Sequence, residues 1–113
     1  MFNNKTGDIK MMFDVFCLSQ ILSGRKDVTR RIPSGKRPAV PGHIHKLKID
    51  RTKKTYGLIL IEDCRLEKLG DLTDEEARRE GFNCKEHYLK YFKHLNGDVN
   101  PNELVWRVQF ELL

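Results

Sequence analysis

The sequence predicts an α+β domain, a small curled antiparallel sheet with short helices at its periphery. Three observations lead there: two-residue hydrophobic alternation in the middle and at the end of the chain, helix-period stretches that stay short, and links of hairpin length. A doubly wound fold would need several strand-helix-strand units, each with a crossover of about a dozen residues or more, and 113 residues with so few helices do not hold them. The length also suits one core rather than two, so the chain reads as a single domain over 11–113 behind a tail of residues 1–10.

The elements follow in order. Met11 to Phe13 reads as a short strand, and Asp14 then caps a helix running to Ser23, with Leu18, Ile21 and Leu22 on one face and Gly24 closing it. Residues 33–42 hold Pro33, Gly35, Pro38, Pro41 and Gly42 among basic residues, a loop composition. His45, Leu47 and Ile49 alternate with Lys46, Lys48 and Asp50, the pattern of a strand with one apolar and one wet face. Arg51 to Thr55 reads as a hairpin turn, and the continuous apolar run Tyr56 to Ile61 as a strand buried on both faces.

Thr73 with Glu76 forms a capping-box pattern that opens a short helix, which Gly81 can end. Asn83 opens the next helix, whose apolar face is Tyr88, Leu89, Phe92 and Leu95 and which Asn96-Gly97 stops. Trp106, Val108, Phe110 and Leu112 alternate with Arg107, Gln109 and Glu111 in an amphipathic last strand.

Charge narrows the function classes. Residues 25–54 carry eleven Lys and Arg against only Asp27 and Asp50, a local +9, whereas 55–113 sum to −4. Such a block is either an electrostatic footprint for phosphate-bearing partners or a solvated loop. No apolar run reaches the roughly twenty residues that span a bilayer and the first ten residues lack a signal-peptide core, so the expectation is a cytoplasmic protein with no membrane partner. Cys17, Cys64 and Cys84 lack C-x-x-C spacing and read as reduced thiols. His43 and His45 share a strand face, but no Asp, Glu or Cys stands at ligand spacing, so neither a metal nor another cofactor is expected.

The run Ile21-Leu22-Ser23-Gly24-Arg25-Lys26-Asp27-Val28-Thr29-Arg30-Arg31 resembles the signature of the ASCH family: a helix end, Gly, Lys, then Thr and Arg. The resemblance continues through Pro41-Gly42, through Leu69 to Leu72 leading into Thr73-Asp74-Glu75-Glu76-Ala77-Arg78-Arg79-Glu80-Gly81-Phe82, and through Val105 to Leu112. The paired arginines and the late tryptophan look like ASCH proteins common in bacteriophage genomes. The resemblance implies a PUA-like β-barrel and a cleft for a nucleobase. Some small members are amidohydrolases that remove the acyl group from 4-acetylcytidine, using a Lys, a Thr three residues later and a Glu. On matching positions these are Lys26, Thr29 and Glu80, and Arg31 matches the family arginine. Asp27 stands where those enzymes carry Thr, a departure that bears on substrate identity.

The chemistry is sensible in its own right. A threonine hydroxyl needs a base to become a nucleophile, a lysine near other cations such as Arg25, Arg30 and Arg31 can be that base, and a shielded Glu80 can protonate a departing exocyclic amine. Lys26 and Thr29, at i and i+3, face the same way only if the chain there turns helically, whereas a strand starting at Lys26 would separate them. Taken singly, each has a blander reading: Lys26 and Arg31 as phosphate contacts, Thr29 as a strand former, Glu80 as a solvated last-turn residue. Trp106, Tyr88, Tyr91 and Phe92 are candidate stacking rings, and Tyr91, off the apolar helical spacing, is the best placed to be exposed.

Three functions follow. The first is an amidohydrolase on an acylated cytidine or related modified nucleoside. The second is a non-catalytic RNA or modified-nucleic-acid binding module using the same cleft, and Arg25, Arg30, Arg31, Lys36, Arg37 and Tyr91 are the candidate contacts to substrate or nucleic acid. The third, a regulator that binds another protein, has no positive feature in the sequence.

Overall fold

The computed structural model describes residues 10–49 and 54–113. Its elements are β1 (Lys10–Met12), α1 (Val15–Leu22), β2 (Val28–Arg31), β3 (Ile44–Lys48), β4 (Leu58–Lys68), a 3-10 turn (Leu69–Asp71), α2 (Asp74–Arg79), α3 (Lys85–Asn96) and β5 (Leu104–Leu112). The strands form one sheet in the order β1-β3-β4-β5-β2, parallel between β1 and β3 and antiparallel at every other pairing. Its edges are β1 and β2, so the described strands leave the sheet open where a closed barrel was expected. A side chain spans the seam instead: Arg31 Nη2, at the end of β2, donates to the carbonyl of Met12 in β1 at 2.9 Å.

The helices obey local signals in part. Asp14 caps α1 by accepting from the Cys17 N–H at 2.7 Å, and Gly24 follows with φ +83. Thr73 makes its half of the capping box, accepting from the Glu76 N–H at 3.1 Å, but the Glu76 carboxylate is drawn away to Arg30 and Arg107. The α3 helix starts one residue later than Asn83 predicts. Its N-cap is Cys84, without a side-chain cap, and Asp74 of α2 caps it from outside by accepting from the Lys85 N–H at 2.8 Å.

The expected strand over Tyr56 to Ile61 is longer and differently buried: β4 runs to Lys68, with Ile59 and Ile61 inward and Leu58 exposed. Pairing with β5 from Ile59 opposite Leu112 to Lys68 opposite Leu104 carries it through the charged segment. A bulge between Ile61 and Asp63 shifts the alternation by one, so that Cys64 rather than Asp63 joins the core. The Arg51 to Thr55 turn falls largely on residues 50–53, outside the described residues.

Each face of the sheet is covered by its own apolar cluster. One centres on α1 and the strands (Phe13, Leu18, Ile21, Leu47, Ile61, Val108 and Phe110), and the other joins α2, α3 and the start of β5 (Leu72, Ala77, Tyr88, Phe92 and Val105). The second cluster explains why Arg107, expected on a wet face, is buried: α2 lies over that side of β5. Lys48, also expected in water, is buried too. No helix among the described residues is long and apolar enough to cross a membrane.

Candidate functional site

Lys26 is set by a backbone bridge to Glu80, and β2 begins only at Val28. The intervening Asp27 is out of the strand, held by its N–H to the Arg79 carbonyl and by paired contacts of 3.0 Å from Arg79 Nε and Nη2 to its carboxylate. The chain here is thus neither the helical turn nor the strand starting at Lys26 that the sequence offered. Lys26 and Thr29 line the same cleft, together with Glu80, Arg30, Arg31, Phe13 and Tyr91.

The Lys26 ammonium is buried at 4% exposure and all three of its hydrogens have acceptors: Glu80 Oε1 at 2.6 Å, the Val28 carbonyl at 2.7 Å and the Glu80 carbonyl at 3.4 Å. Glu80 is 1% exposed, and its other oxygen accepts from Arg30 Nη1 at 2.9 Å. The Glu80 backbone ends α2, and Gly81 follows in a left-handed turn at φ +95. Thr29 Oγ1 lies 3.4 Å from Arg31 Nε, and the Arg31 guanidinium sits 4.8 Å over the Phe13 ring. Burial lowers the Arg31 proton affinity below the ordinary guanidinium value, against the pull of Glu80.

A buried ionic network backs this cleft. β2, β5 and β4 place Arg30 opposite Arg107 and Arg107 opposite Arg65, a row of like charges that is unfavourable without counterions. Glu76 Oε1 bridges the first two, at 2.5 Å from Arg30 Nη2 and 2.6 Å from Arg107 Nε, and Glu67 Oε2 lies 2.7 Å from Arg30 Nη2. Hydrogen bonds from Arg107 foremost, then Arg30, hold the Glu76 carboxyl at about 2. Burial would weaken the Arg30 charge, but Glu80, Glu67 and Glu76 outweigh it and raise its proton affinity above the ordinary value.

The opposite wall comes from α1 and α3. Tyr91 donates its phenol hydrogen to Asp14 Oδ2, its oxygen lies 3.1 Å from Cys17 Sγ, and its ring packs on Phe82 at 4.9 Å. Burial raises the Cys17 thiol above its usual value. The cleft encloses about 220 Å³, below the ~300 Å³ at which pockets begin to hold drug-sized ligands.

The sequence matches no family model and no curated protein. Two crystal structures share the architecture. The ASCH domain from Lactobacillus crispatus JV V101 superposes with a TM-score of 0.69 at 17% identity, over 95% of this chain and 78% of that one. The chain has the ASCH fold. A DUF984 protein from Enterococcus faecalis V583 superposes with a TM-score of 0.60 at 18% identity, over 85% of this chain and 66% of that one.

Within this ASCH fold the expected residues divide. Lys26, Thr29, Glu80, Arg30, Arg31 and Tyr91 meet at the cleft. Arg25, Lys36 and Arg37 do not line it: Arg25 and Lys36 are exposed, and Arg37 donates to the Cys64 carbonyl at 2.7 Å with its guanidinium 6.0 Å from the Trp106 ring. Tyr91 is half-buried rather than free, and Trp106 packs against the core. Sequence reasoning missed Glu67, Glu76 and Arg107: Glu67 was given no role, Glu76 read as part of a capping box and Arg107 as a wet-face residue. An arginine in the middle of the last apolar strand was the available signal that a carboxylate had to meet it. His45 is fully buried, with neither ring nitrogen hydrogen-bonded to a protein group, and no cluster of three or more metal-ligating side chains is arranged among the described residues.

Proposed function

We propose that this cleft binds a nucleoside with an acylated exocyclic amine, of the 4-acetylcytidine type, and hydrolyses its amide. The observation that carries the reading is the junction of Lys26, Thr29 and Glu80 on one small cleft, with Lys26 and Glu80 in direct contact at 2.6 Å. The likeness to an ASCH domain structure supports it at the level of fold.

In the proposed reaction Lys26 passes a proton to Glu80 Oε1 and the freed amine accepts the Thr29 hydroxyl proton as Oγ1 attacks the acyl carbon. The Arg31 guanidinium, next to Thr29, offsets the negative charge that develops on the acyl oxygen. The tetrahedral adduct collapses by breaking the bond to the base nitrogen, which takes the proton from Glu80 and leaves as the free amine. Water, deprotonated by Lys26 in the same manner, then attacks the Thr29 ester; the adduct breaks its bond to Oγ1, which takes back the proton held by Glu80, and the carboxylic acid is released. Protonation at Oε1 leaves Oε2 free to keep accepting from Arg30, so the shuttle does not dismantle the network.

The placement of four of the block's cations supports a small substrate over a polynucleotide. Arg30 is bound by carboxylates, Arg37 by a carbonyl, and Arg25 and Lys36 lie outside the cleft, so these cations do not converge on a phosphate path into it. The test is incubation with 4-acetylcytidine and chromatography of the products, with Lys26→Ala beside the wild type. Cytidine from the wild type alone supports the reaction. Wild-type turnover in the variant sinks the assigned roles, and no cytidine from either protein sinks hydrolysis of this substrate and leaves binding, read by titration at several salt concentrations.

A further inference from the structure

We infer that Arg30 is a positioning residue of this site, acting through Glu80 by reserving one carboxylate oxygen so that only the other exchanges a proton with Lys26. The inference rests on the proposed reaction for its functional consequence, and on geometry for its mechanism. Arg30 was expected to contact nucleic acid. Instead its Nε, Nη1 and Nη2 hydrogen bonds all go to carboxylates: Nη1 to Glu80 Oε2 at 2.9 Å, Nε and Nη2 to Glu67 Oε2 at 3.1 and 2.7 Å, and Nη2 to Glu76 Oε1 at 2.5 Å.

Each Glu80 oxygen therefore has its own cation, Arg30 on Oε2 and Lys26 on Oε1. The two cations differ in kind. A guanidinium stays protonated throughout the working pH range, whereas an ammonium can give up its proton. Oε2 thus faces a permanent donor and Oε1 faces the exchangeable one. The planar fork of Arg30 is pinned from β4 by Glu67 and from α2 by Glu76, and Glu76 is pinned in turn by Arg107 at 2.6 Å, so the Glu80 carboxylate cannot rotate without breaking a buried contact. Glu67 and Glu76 also offset the Arg30 charge, which lowers the opposition Arg30 presents to a Glu80 that must become neutral. A lysine in place of Arg30 keeps the charge but replaces the rigid planar fork with a compact ammonium of three rotatable donors, which does not reproduce the fixed geometry in which Arg30 meets its three carboxylates.

The test uses Arg30→Lys and Glu67→Gln in the full chain, with two readouts: the pH dependence of kcat and KM on 4-acetylcytidine, and NMR titration of the Glu80 carboxyl in protein carrying ¹³C-labelled glutamate. For Arg30→Lys we expect kcat to fall about 10- to 100-fold with KM little changed. The acidic limb of kcat/KM and the Glu80 signal should move together to higher pH. Glu67→Gln should move both the other way, since it leaves Arg30 less neutralised. A raised KM with unchanged kcat would make Arg30 a substrate contact and overturn the inference, as would a folded Arg30→Lys protein whose Glu80 signal titrates as in the wild type. If Arg30→Lys does not fold, the direction of the Glu67→Gln shift decides. If the wild type does not cleave 4-acetylcytidine, the hydrolase reading falls alone, and the Glu80 titration still judges Arg30.

Discussion

Lys26 Nζ lies 2.6 Å from Glu80 Oε1 across 54 positions of sequence, and the backbones of the same two residues form an isolated antiparallel bridge. The ion pair and the bridge reinforce each other, since the bridge fixes both Cα positions and the side chains have little conformational freedom left to lose. Replacing Lys26 by Met should therefore cost about 3 kcal/mol, because it leaves Glu80 buried with Arg30 as its remaining cation. Urea denaturation measures this, and a Lys26→Met/Glu80→Gln double variant should lose less than the sum of the single losses. Additive losses would mean that the two residues are not coupled.

His45 gives the fold an acid-sensitive limb. It is fully buried without a protein hydrogen-bond partner, and burial, with a smaller contribution from His43, holds it near 4 rather than 6.5. Between those values the unfolded chain binds the proton and the folded chain does not, so stability falls as pH drops from about 6.5 to 4, by up to about 3 kcal/mol. His45→Leu should flatten this part of the stability profile and be neutral or stabilising at pH 7. A profile that keeps its slope in the variant would assign the effect elsewhere.

Glu76 supplies a second, lower limb. Its carboxyl is depressed from 4.5 to about 2, so its contribution is complete above pH 4.5 and is lost as pH falls toward 2. With its side chain 22% exposed, solvent screening holds the value to about 1–2 kcal/mol. Glu76→Gln should remove this dependence in acid titrations of the urea midpoint while leaving the His45 limb in place.

Tyr91→Phe removes the hydroxyl that joins α3 to the N-cap of α1 through Asp14 and Cys17. The expected cost is about 1–2 kcal/mol in thermal or urea unfolding. Because Asp14 keeps its contact with the Cys17 N–H, α1 should remain helical by circular dichroism. Burial, then the hydrogen bond to Asp14, raises the Tyr91 phenol above its usual value, and burial raises that of Tyr88 as well, so phenolate absorbance in alkali should show two fewer tyrosines titrating in the wild type than in the unfolded chain.

Gly81→Ala tests the turn that delivers Glu80. At φ +95 an L side chain is strained, and a Cβ there would stand 3.1 Å from Gln20 Cγ. A loss of about 1–3 kcal/mol is expected, together with a fall in any activity that depends on Glu80. Full stability in the variant would show that the turn relaxes without cost.

Much of the fold was legible because the signals are local. Asp14, Thr73 and Gly81 act on backbone groups within four residues of themselves, and each does what its residue type and spacing imply. Where a cap comes from elsewhere in the chain, as Asp74 does for α3, local reading misplaced the boundary. The charged half of β4 was missed for the same reason, since Glu67 is held by Arg30 of β2 and Asp63 lies 3.8 Å from Arg107 of β5, partners far away along the chain.

By itself the sequence determined an α+β chain and singled out Lys26, Thr29 and Glu80 as candidates, because periodicity, caps and the motifs of the ASCH resemblance depend on residues near one another along the chain. Only the tertiary structure decided that the sheet stays open, that Arg30 serves carboxylates rather than a ligand, and that Arg37 lies away from the cleft. The reason is electrostatic. A charged side chain reads the same in sequence whether it ends in water or opposite a counterion, and burial with Glu67, Glu76 and Glu80 is what turns Arg30 from a candidate binding residue into part of the frame.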